Sequence, residues 1–447
     1  MTMARIDVDV VVVGAGFAGL AAARRLRDAG WSVAVLEARD RVGGRTHTRY
    51  LDDGTQIDLG GQWLGPTQDT MYELAREYGV ATFPTAAHGA PIYRIGDQSR
   101  SDLPSGAIEL LNRIDALARH VDIAQPWNSP TAAALDGVTV RNWLDGQDVG
   151  DSDERRIVAR MLAGGLLTAE ASDISMLGLL FYVRSGNGVD SLLGMTGGAQ
   201  QDRLVGGPAA IAAAIADSLG PEVVRLNEQV RRIDWDGAVT AHTDRLSVAA
   251  RRAIVAVPAV VVDDIEFAPA LPVIKQIALR RLMPGAALKL HLVFDTPFWR
   301  DSGLSGQCNL SSGWITETVD NSMPGRAAGV LTGFSYGNDA LALRRLSEAE
   351  RRDTVVRELS EVFGPRTRRE LRDFIEFDWC AEPLTRGCFS ARFSTGGWTG
   401  LGRDLRADTG VLHWAGTEYA SVWNGYFEGA VLSGRDAADR AAELLPR

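Results

Sequence analysis

Cysteine is scarce in this chain: three in 447 residues, at Cys308, Cys380 and Cys388. No two of them form a C-x-x-C pair, which argues against a metal site, and an odd number suits a disulfide-stapled secreted fold poorly. The six histidines form no metal-like or triad-like cluster. No apolar run approaches the roughly 18–20 residues of a membrane span. The opening "MTMARID" runs directly into a strand pattern, without the apolar stretch and small-residue cleavage site of a signal peptide. A cytoplasmic protein without a membrane anchor is expected. The net charge of −10 speaks against nucleic acid, whose binding is dominated by basic contacts to phosphate, and against an anionic membrane surface. Lysine is nearly missing too. Among 47 Lys and Arg residues it occurs only at Lys275 and Lys289, so each lysine is mildly informative.

What remains is a globular composition, 45% hydrophobic and 23% charged. The length exceeds one ordinary core and predicts two domains. In "VDVVVVGAGFAGLAAARRLRDAGWSVAVLEA" the run Val8–Val13 has the pattern of a strand buried on both faces. Gly14, Gly16 and Gly19 follow, then a helix to Ala29 and a second strand ending at Glu37, 18 residues past Gly19. This is a dinucleotide turn: the first glycine bends the chain, the second lets backbone approach a pyrophosphate, and the third lets helix and strand pack. The phosphates belong at the helix N-terminus. An acid at position 37 accepts hydrogen bonds from ribose hydroxyls and repels a 2′-phosphate. "RDRVGGRT" then sets Arg39, Arg41 and Arg45 around Gly43 and Gly44. Arginine forks neutralise phosphates that a helix dipole handles only partly, and this second loop favours FAD over NAD.

Downstream, residues 107–200 read as mainly helical, 284–338 as a mixed sheet, and "GYFEGAVLSGRDAADRAAELL" as a final helix from Gly425. The ordered set "VVVGAGFAGLAAARRL", "LEARDRVGGRT", "DLGGQWLGPTQD", "LVGGPAAIAAAIADSLG", "LKLHLVFDTPFW" and "WAGTEYASVWNGYFEGAVLSG" resembles the flavin amine oxidase family, the monoamine and bacterial putrescine oxidases especially. The resemblance implies an α/β fold in which a Rossmann-like FAD-binding domain (1–80, 203–280 and 384–447) is interleaved with a mixed-sheet plus helical substrate domain (81–202 and 281–383). It implies an FAD-dependent enzyme that oxidises a primary amine with O2 to aldehyde, ammonia and hydrogen peroxide. Membrane-bound relatives carry an apolar C-terminal tail that is not seen before Arg447. A homodimer is kept open as the assembly.

Residue by residue, the resemblance gives Lys289 the role of holding a water against flavin N5. Phe389 and Tyr426 become the aromatic pair that cages the amine, with Phe389 where the family has tyrosine. Gly61, Gln62 and Trp63 line the isoalloxazine. Gly416, Thr417 and Glu418 stand beside the pyrophosphate and ribityl chain, Phe427 and the start of the last helix at the flavin N1–C2 edge, and Val230 at the adenine. Cys388, in Gly387-Cys388-Phe389, matches a cysteine that carries flavin through a thioether, and two readings stand: a covalent link or an unlinked thiol. Gln200 falls in the substrate cavity, with Leu166 and Leu193 at its entrance. Glu317 aligns with an acid of putrescine oxidases. A monoamine is the expected substrate, with a diamine such as putrescine as the alternative. A less favoured alternative is an L-amino-acid oxidase, which needs a cation for the substrate carboxylate; Arg184, Arg203 and Arg386 are the candidates.

Overall fold

A computed structural model describes residues 4–446. The strand Ala4–Val13 lies between Val33–Leu36 and Leu246–Val255, parallel to both, with Val12 opposite Val35 and Ile254. These belong to an eight-stranded sheet that also takes in Leu412–Trp414. Val10, Val11 and Val12 are all at 0% exposure because the sheet is covered twice. Val10 and Val12 enter one apolar cluster with the helices Phe17–Asp28 and Phe427–Glu443, and Val11 and Val13 enter another with Leu36 and Trp414. That double burial is the physical reason for an unbroken β-branched run. Helix 17–28 approaches the strand so closely that a Cβ on Gly19 would lie 1.9 Å from the Gly14 carbonyl oxygen.

A second sheet of seven strands runs in the order 371–377, 287–294, 329–336, 317–320, 304–310, 90–95 and 98–100. Its strand Ala287–Phe294 is flanked antiparallel by Gly329–Tyr336 and Leu371–Phe377, and every residue in it is buried. Leu288, Leu290, Leu292 and Phe294 pack on the helix Glu348–Phe363. The alternate residues Lys289 and His291 therefore point the other way, toward the first sheet's loops. Three small sheets accompany the large ones: Thr48–Tyr50 pairs Gln56–Asp58, Trp63–Leu64 and Thr82–Pro84 both pair Asp202–Leu204, and Met283–Gly285 pairs Cys388–Arg392. The final helix starts at Phe427, two residues later than expected: Gly425 has φ of +87° and Tyr426 is an extended N-cap. Among the described residues no helix is long and apolar enough to cross a membrane.

Candidate active site

A continuous cavity of about 500 Å³ runs from the glycine turn to the aromatic residues of the second sheet. Its first end is built from backbone. Gly14, with φ of +100°, turns the chain out of the strand, and its N–H donates to Leu36 O at 2.8 Å. Glu37 is buried, and its carboxylate accepts Ala15 N–H at 2.7 Å and Arg39 N–H at 2.9 Å. Gly43 N–H donates to Ala15 O at 2.9 Å. The two glycine loops nearly touch, since a Cβ on Gly44 would be 3.3 Å from Gly16 Cα. The result is a cradle without side chains at the N-terminus of helix 17–28, the chemistry a pyrophosphate needs. Val230 lines the same end.

The arginines of this loop are committed to protein partners. Arg39 meets the Glu382 carboxylate and donates to Thr385 Oγ1 at 2.8 Å. Arg41 donates to the carbonyls of Val42, Gly44 and Thr46. Arg45 forms a two-pronged pair with Glu418 at 2.6 and 3.1 Å. Of the residues expected at the cofactor and the amine, the cavity wall takes in all except Gly19, which serves packing, Arg41, which is turned onto the carbonyls of its own loop, and Glu418, which stands behind Arg45. Thr417 Oγ1 donates to Tyr426 O at 3.0 Å, tying the 416–418 turn to the start of the last helix. Trp63 Nε1 and Gln200 Oε1 are buried polar atoms on this wall without a protein partner. A side-chain-free cradle, an acid-anchored turn and unpartnered polar atoms along one long cavity fit FAD.

Lys289 sits midway. Its Nζ donates to Asp58 O at 2.6 Å, to Gly60 O at 2.8 Å and to Gln62 Oε1. The rings of Trp63 and Phe334 lie 5.7 and 5.6 Å away. Burial pushes its ammonium down to about 7. Gln62 also donates to Asn321 Oδ1 at 2.7 Å, and Asn321 Nδ2 donates to Thr332 Oγ1 at 2.8 Å. The charged partners beneath are Asp58 and Arg203, and Arg203 also donates to Asn321 O at 2.7 Å.

At the far end Phe389 adopts φ of +51°, a left-handed conformation that costs a non-glycine residue energy and clusters at functional sites. Its ring meets Tyr336 edge-on at 6.1 Å, while Tyr426 packs on Tyr182 and Trp423. Glu317 opens the strand Glu317–Asp320 and faces the cavity, not solvent. Its carboxylate accepts the Tyr336 hydroxyl at 2.6 Å, and burial raises its pKa. Among the described residues no cation pairs with it. Leu166 lies on a π-helical turn, Arg160–Leu166, and Leu193 and Gln200 complete this wall. Gln200 Nε2 is held by Leu192 O at 2.9 Å. The Cys388 thiol donates to Ala287 O at 3.4 Å and the Cys380 thiol to Gly285 O at 3.6 Å; the two thiols titrate together, Cys380 drawn down while its neighbour and burial push Cys388 up.

Tyr182, Tyr336 and Asn321 were missed by the sequence reading. Strand pairing was the signal for Tyr336: Ala287 stands opposite Tyr336 and Lys289 opposite Phe334, so both aromatics share the lysine's face. The cations available for an amino-acid carboxylate are spent elsewhere. Arg203 is held by Asp58, Arg386 pairs with Asp264 at 2.6 Å, and Arg184 is exposed.

The model of the family described as flavin containing amine oxidoreductase matches residues 17–442. The chain is 40% identical over 449 residues to a Mycobacterium tuberculosis protein provisionally named flavin-containing monoamine oxidase AofH, covering 98% of this chain and 97% of that one. It is 34% identical over 468 residues to the putrescine oxidase of Kocuria rosea, covering 98% and 95%. A solved putrescine oxidase with putrescine bound superposes with a TM-score of 0.94 at 33% identity, over 98% of this chain and 100% of that one.

Proposed function

The chain belongs to the flavin-containing amine oxidoreductases, and from that premise we propose that this FAD-dependent amine oxidase acts on a short primary amine carrying a second cationic group, a diamine of the putrescine kind. Glu317 carries the reading. A half-buried carboxylate facing the cavity, with one tyrosine hydroxyl and, among the described residues, no cation, is costly unless a ligand brings the charge. The family acts on small amines with O2. FAD held in the cradle would supply the two-electron chemistry that oxidises the carbon beside nitrogen at the expense of O2.

The chain's own residues do the rest. Glu317 and the Tyr336 hydroxyl hold the distal ammonium, which fixes how far the reacting amine reaches. Phe389 and Tyr426 offer ring faces to the amine nitrogen and exclude water. Lys289 supplies a positive charge in the cavity wall, its three N–H groups taken by Asp58 O, Gly60 O and Gln62 Oε1. Cys388, on the cavity wall, is the residue that would carry a thioether to the flavin. The same reading assigns 1–80, 203–280 and 384–447 to the cofactor domain and the segments between to the substrate domain, supported by how the strands divide between the two large sheets.

A monoamine is the second reading, favoured by the apolar wall of Leu166, Leu193 and Phe389. The test compares kcat/KM for putrescine and butylamine in wild type and Glu317→Gln. A charge-assisted bond predicts a wild-type preference for putrescine of about tenfold to 150-fold, lost in the variant. An unchanged ratio removes Glu317 as a substrate ligand. A wild-type preference for butylamine selects the second reading.

A further inference from the structure

The turn before Glu317 is gripped from two sides by charged residues that do not touch the cavity. We propose that Arg160 and Glu358 are positioning residues for Glu317 and thereby set the enzyme's selectivity at the distal end of its substrate; this rests on the diamine reading of Glu317. Residues 311–316 connect the strand Leu304–Leu310 to Glu317–Asp320. Glu358, from the helix Glu348–Phe363, accepts Trp314 N–H at 3.1 Å and Ile315 N–H at 3.3 Å. Its carboxylate fills the crook of Gly313, where φ is +105° and a Cβ would lie 2.0 Å from Glu358 Oε1. Arg160 takes the acceptors of the same turn, donating to Gly313 O at 2.9 Å, Ile315 O at 3.1 Å and Thr316 Oγ1 at 3.1 Å. Its other nitrogen pairs with Asp339 at 2.7 Å.

Arg160 also opens the π-helical turn Arg160–Leu166, which brings Gly165 against Glu317: a Cβ there would stand 3.6 Å from the carboxylate. A single guanidinium thus ties together the two segments that flank Glu317, and Glu358 fixes the remaining backbone donors. Such π-turns are frequent at functional sites. The carboxylate must meet an ammonium within hydrogen-bond distance while the reacting amine stays at the aromatic pair, and a displacement of about 1 Å is enough to lose that geometry.

The experiment measures kcat and KM for putrescine and butylamine in Arg160→Gln, Glu358→Ala and Glu358→Gln, each alone and combined with Glu317→Gln, with a thermal melt for every variant. Arg160→Gln and Glu358→Ala are expected to lower kcat/KM for putrescine about tenfold, mostly through KM, with butylamine changed less than about twofold. Glu358→Gln keeps an acceptor oxygen and is expected to recover most of the loss. In the Glu317→Gln background the same substitutions are expected to leave the putrescine-to-butylamine ratio unmoved. Equal losses for both substrates, or the same loss of ratio without Glu317, overturn the proposal in favour of a purely structural role. A ratio changed by Glu317→Gln but not by Arg160→Gln or Glu358→Ala overturns the positioning role alone. A ratio untouched by Glu317→Gln overturns the diamine reading and this proposal with it.

Discussion

Asp58 and Arg203 form a salt bridge of 2.9 Å in which each side chain is 1% exposed. Asp58 also accepts Thr48 Oγ1–H and Gln56 Nε2–H, and Arg203 reaches the residue after the strand Glu317–Asp320 by donating to Asn321 O. Removing one member leaves the other as an uncompensated buried charge. Arg203→Leu is expected to lower stability by about 3–5 kcal/mol, read from urea unfolding. A loss under about 1 kcal/mol matches a solvated surface pair and contradicts this account.

The same pair lies under Lys289, whose ammonium is held at about 7 by burial. Nζ is charged below that value and loses its charge as pH rises through it. A cation in the cavity wall favours the negative charge that develops when O2 is reduced. Flavin reoxidation is therefore expected to slow as pH rises through about 7. Lys289→Met is expected to be slower by about 10²-fold and to lack that inflection, with flavin reduction by amine less affected. Stopped-flow traces with normal reoxidation in the variant remove Lys289 from this role.

The glycine turn, Glu37 and the second glycine loop were legible in sequence because they lie within about 30 residues, where spacing alone fixes geometry. Tyr182, Tyr336 and Asn321 reach the site through strand pairing and helix packing, which local patterns do not encode. The scarcity of lysine proved an uneven guide. It drew attention to Lys289, which lines the cavity, but Lys275 donates to Leu405 O and Ala407 O at 2.6 and 2.9 Å, closing the end of the helix Gly397–Arg406. Arg39 and Arg45 line the cavity as their spacing predicts, and each also meets a carboxylate that local pattern does not reveal, Glu382 and Glu418.

Glu37 shapes the glycine cradle through backbone. Its two carboxylate oxygens hold Ala15 N–H and Arg39 N–H, one from each loop of the cradle. Glu37→Gln replaces one acceptor oxygen by a donor, which faces an N–H. FAD affinity is expected to fall by about tenfold or more, measured by fluorescence on reconstitution of the apoprotein. Unchanged affinity shows that the cradle keeps its shape without the carboxylate.

Cys388 provides the last test. The thiol lies on the cavity wall, is 6% exposed, and donates to Ala287 O at 3.4 Å. Cys308, by contrast, is fully buried against Thr318 in the apolar core of the second sheet, away from the cavity. A thioether at Cys388 would replace its S–H and one C–H of the flavin by an S–C bond, and the two electrons released would pass through the flavin to O2, the acceptor of the family's reaction. The expected outcome is a flavin that stays with the protein after acid precipitation, with an intact mass above that of the chain by one FAD. Cys388→Ala is expected to release the colour to the supernatant while FAD still binds, because the glycine cradle and Glu37 are untouched. Colour in the supernatant from the wild-type protein decides for the unlinked thiol, packed in the wall beside Cys380.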